Sequence, residues 1–69
     1  MYATIDAVER DLEKFPNAEV HLCLVSICAD EYGFAVVVDH QARAFVDEDV
    51  AEELVVRRNL SVVKLEDVV

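Results

Sequence analysis

From Glu19 to Cys28 the chain is apolar on both of its alternating sides, with Val20, Leu22 and Leu24 on one and Cys23, Val25 and Ile27 on the other. A strand with one wet face alternates apolar and polar residues, so this stretch reads as a central strand that needs cover on both faces. A chain of 69 residues has room for one core and for a single domain over residues 1–69. It buries only about 60% of its unfolded surface and is marginal alone. The cover must come from few elements, or from another molecule.

Two helices are expected. Ile5, Val8, Leu12 and Phe15 recur at helical spacing behind Thr4 as N-cap, and Pro16 stops the pattern. Asp6 and Arg10 form a favourable four-apart pair on its outer side, Glu9 and Glu13 an unfavourable one. In the second helix Asp47 is a strong N-cap, Glu48, Asp49, Glu52 and Glu53 crowd the early turns, and Arg57 and Arg58 the last. Asn59 can take the left-handed closing position. Val50, Ala51, Leu54 and Val55 share its inner face, whereas Val56 falls among the acids on the other side.

Between the helices, Asp30, Glu31, Tyr32 and Gly33 read as a turn, with Gly33 suited to a positive φ. Phe34 to Val38 follows as a strand, then a turn over Asp39, His40 and Gln41. A third strand, Ala42 to Val46, carries Arg43 and Phe45 on one side, and Leu60 to Glu66 supplies the last. The fold class is α+β, of order αβββαβ: a small, mostly antiparallel four-stranded sheet with two helices packed on one face. The helices' narrow stripes leave the reverse face short of cover, which predicts a homodimer joined through a sheet face or edge, with a larger heteromeric assembly as the other route.

Fourteen valines, one glycine and one proline favour an ordered β-rich chain. The net charge of −9 argues against direct binding of nucleic acid or of an anionic membrane, and no apolar run is long enough to cross a bilayer. Met1 to Arg10 lack a signal-peptide pattern, and Cys23 and Cys28 lie too far apart along one strand, and on opposite faces, to bridge. A reducing, cytoplasmic location is the expectation.

Chemistry has little to work with. Only His21 and Cys23 lie two apart on one strand face, and no zinc-like spacing surrounds them. Ser26 and Ser61 sit in expected strands away from any glycine-rich elbow, and the lone Gly33 rules out a phosphate-cradling loop. No catalytic residue, metal or cofactor is therefore assigned.

The distinctive local feature is Asp47, Glu48, Asp49, Glu52 and Glu53, with Val56 beside them as an apolar anchor. On a helix rising about 1.5 Å per residue, such acids approach the charge spacing of duplex DNA, one per roughly 1.7 Å. With Asp6, Glu9, Asp11 and Glu13 of the first helix they could imitate a phosphate backbone and occupy a basic groove. In size and charge the chain resembles phage-encoded inhibitors of host defence or of nucleic-acid enzymes. That resemblance implies a non-enzymatic inhibitor, acting in the host cytoplasm if phage-encoded, that docks on a basic surface of a nucleic-acid-handling protein. The alternative is a homo-oligomeric structural module whose acidity serves solubility or a salt-rich cytoplasm.

Overall fold

The structure, a computed structural model, describes residues 2–28 and 30–64, the side chains of residues 27 and 28 excepted. In chain order the elements are α1 (Ile5–Leu12), β1 (Val20–Cys28), β2 (Glu31–Val38), β3 (Gln41–Val46), α2 (Glu48–Arg58) and β4 (Val62–Lys64). The strands lie in the order β3-β2-β1-β4, antiparallel except for β4, which runs parallel to β1. This is the expected α+β fold, with the two-sided apolar strand at its centre.

Register explains the two faces. Leu22, Val36 and Val38 share one core cluster with Val8 and Leu12 of α1, Ala51 and Leu54 of α2, and Val46 of β3. On β1 and β2 these are even-numbered positions, so both helices cover the same face. The odd-numbered positions point the other way. Ala35, opposite Cys23 and Phe45, is only 3% exposed yet stands apart from that core cluster.

The ends of α2 follow its sequence signals. The Asp47 Oδ1 accepts the Val50 N–H at 2.9 Å, and Asn59 closes the helix with φ 55°, its N–H bonded to the Val55 carbonyl. Thr4 caps α1 through the Ala7 N–H. The helix ends at Leu12, however, short of the expected Phe15, because a residue before proline avoids helical backbone. The turn tightens, with Lys14 and Phe15 N–H groups bonded to the carbonyls three residues back, and Phe15 still reaches the core.

Three further expectations change. Gly33 is not in a turn: it is buried within β2 opposite Val25, and its φ is not positive. The β1–β2 strands pair out to Cys28 and Glu31, helped by a register shift after Ser26, which shortens the connection. Positive φ occurs instead at Asp39 and His40, 49° and 71°, as a two-residue turn closed by Val38 and Gln41. The turn is tied to β1, the Asp39 Oδ1 accepting the Glu19 N–H at 3.0 Å.

The side-chain alternation of β3 also differs. Val36 opposes Ala44 while Val37 opposes Ala42, so Arg43 is an extra, bulged residue. It turns to the helix side, 3.6 Å from Asp11 and with its Cζ 4.8 Å from the centre of the Phe15 ring, while Phe45 faces the reverse side. Arg43 and Phe45 are thus on opposite sides, contrary to simple alternation. The last strand spans Val62–Lys64, and the expected Leu65 and Glu66 lie outside the described residues, as do the expected orientations of the Ile27 and Cys28 side chains.

Candidate partner-binding surface

Helical spacing of four places Glu48, Glu52 and Val56 in one row along α2. The row borders a groove of about 390 Å³ whose apolar lining comes from Phe34 of β2, Ala51 and Val55 of α2, Val56 itself and Val62 of β4. Val56 is 83% exposed and Val62 49%. Chain order separates these residues widely; the parallel placement of β4 beside β1 brings Val62 back to α2.

The remaining predicted acids divide by role. Asp47 is turned onto the helix N-terminus as cap, and Glu53 is bridged to Arg57. Arg57 also lies 4.0 Å from Glu9, and Arg58 binds the other oxygen of that carboxylate, which ties α2 to α1. Asp11 of α1 is likewise engaged, with Lys14 and Arg43. Among the described residues, Glu48, Asp49 and Glu52 make no ion pair, nor do Asp6 and Arg10 pair with each other. Three unpaired acids on an 11-residue helix amount to roughly one charge per 5 Å, well below duplex DNA at about one per 1.7 Å. Negative charge is concentrated where the helix also exposes apolar surface, on the Glu48–Glu52–Val56 row.

The second apolar surface is the reverse of the sheet. Cys23 and Val25, Ala35 and Val37, Phe45, and Val63 present there from β1, β2, β3 and β4, and Phe45 is 47% exposed. His21 and Glu31 stand at opposite ends of the face. His21 and Cys23 do share it, as expected, but no group of three metal-ligating side chains forms among the described residues. No described helix is long and apolar enough to cross a membrane.

Sequence reasoning missed Phe34 and Val62 as neighbours of Val56. Their alternation was visible in the sequence; the parallel register that closes the groove was not. Compared with protein-family models, curated proteins and solved structures, the chain matches none.

Proposed function

We propose that this protein is a non-enzymatic binding module, an inhibitor that docks α2 onto a basic surface of a nucleic-acid-handling protein. The observation that carries it is Val56, 83% exposed at the edge of an apolar groove that Glu48 and Glu52 also line. A folded chain gains nothing by holding a branched apolar side chain in water, whereas interfaces combine an apolar anchor with a polar rim that excludes water. Unpaired carboxylates beside the anchor fit a partner whose lysines or arginines surround an apolar side chain. They also speed encounter with a positive patch and repel nucleic acid.

A partner that uses the same basic groove for its own substrate gives a direct test. Duplex DNA or RNA added to the complex should compete, displacing this protein in proportion to the partner's affinity for that nucleic acid. A ternary complex that survives saturating nucleic acid would show that docking takes place elsewhere.

A further inference from the structure

We propose that the groove beside α2 takes a cationic amphipathic helix of the partner, an inference that rests on the docking reading above. Its apolar stripe enters the groove, and two basic side chains four residues apart face Glu48 and Glu52. Charge selects the occupant. Both carboxylates line the groove, and among the described residues neither makes an ion pair. A second copy of this chain brings a net charge of −9, and the chain's own last residues bring Glu66 and Asp67, so both carry the wrong sign for that rim. A segment bearing lysine or arginine carries the right one.

The layer of the fold selects a helix. The groove lies on the helix-bearing side of the sheet, because Phe34 shares its face with the core residues Val36 and Val38, and Val62 lies opposite the core residue Leu22. Ala51 and Val55 line it from α2. An element that fills this space touches the sheet and α2 at once, as a further helix does at about 8–10 Å from its neighbour. A strand has less to pair with, since the edge strand β4 offers three described residues and strand addition would send every second side chain to the reverse face.

Spacing fits the same occupant. Glu48 and Glu52 are one turn apart, about 6 Å along the axis of α2, which is also the rise between two basic residues four apart on a partner helix. Val56 on α2 and Val62 on β4, 83% and 49% exposed, both border the groove, so apolar side chains seated there cover the two valines together. The partner helix thus carries apolar residues at spacings of three and four, with its basic pair on the flank beside Glu48 and Glu52.

Amide chemical shifts of the isotope-labelled protein, titrated with synthetic peptides at low salt, test this. The probe is an alanine-based peptide of roughly 18 residues, long enough to form a helix alone, with a leucine stripe and two lysines four apart beside it. Saturable shifts should centre on α2, Phe34 and Val62. A peptide of the same composition with both lysines moved opposite the leucine stripe should bind about threefold to tenfold more weakly. Glu48→Gln/Glu52→Gln, its fold checked by circular dichroism, should bind the two peptides equally. No shift at near-millimolar peptide, shifts centred elsewhere, equal binding of both peptides to the wild type, or a preference that survives in the double variant overturns the proposal. A partner that meets α2 through a flat basic surface would still be displaced by nucleic acid while these peptides fail, so the helix proposal and the docking reading fail separately.

Discussion

Asp47 and Glu52 look alike on a charge map of α2, yet their surroundings separate them. The Asp47 carboxylate accepts the Val50 N–H and satisfies one of the donors that a helix start leaves unpaired. Glu52 lines the groove and, among the described residues, has no partner cation. Asp47→Ala should lower unfolding free energy by about 1 kcal/mol, whereas Glu52→Gln should stay within about 0.5 kcal/mol. Urea unfolding followed by circular dichroism distinguishes them, and equal losses would mean that the cap does not set the stability of α2. The sequence signalled the cap, but whether Glu53 was free or bridged to Arg57 depended on rotamers, and Glu9 meets Arg57 and Arg58, the latter 49 residues away, only once the two helices have docked.

At the scale of elements, α2 was the most legible. Cap, acids, arginines and Asn59 agree, and the apolar stripe contains the residues that are buried, with Ala51 and Leu54 innermost. β3 was the least legible, because a bulge leaves no mark in a pattern of alternating side chains: one inserted residue moved Arg43 to the helix side. The Gly33 expectation failed for a related reason. Glycine favours turns for its conformational freedom, but opposite Val25 it sits in extended backbone where strand pairing continues to Cys28. Two valine or leucine deletions in α2 separate the structural from the exposed face. Leu54→Ala, at a fully buried site, should cost roughly 2–5 kcal/mol, enough to unfold much of so small a domain. Val56→Ala should change stability by less than about 0.5 kcal/mol. A large loss at Val56 would mean that its side chain serves the fold rather than a partner.

For the whole molecule, the apolar surplus visible in the sequence resolves, among the described residues, into two places. One is the reverse of the sheet, which a central strand apolar on both sides foretold. The other is the groove along α2, which no local pattern indicated because β2 and β4 meet α2 there only through sheet topology. The acidity divides likewise: part of it holds α1 and α2 together, part caps a helix, and among the described residues Glu48, Asp49 and Glu52 make no ion pair. The most direct measurement of the binding role is the dissociation constant of a captured partner at low and high salt, for the wild type, Glu48→Gln/Glu52→Gln and Val56→Ala. Docking through α2 predicts affinity that falls steeply with salt in the wild type, a flatter salt response in the double variant, and a loss of about tenfold or more in Val56→Ala at both salt concentrations. Equal affinity across all three proteins and both salts would contradict it.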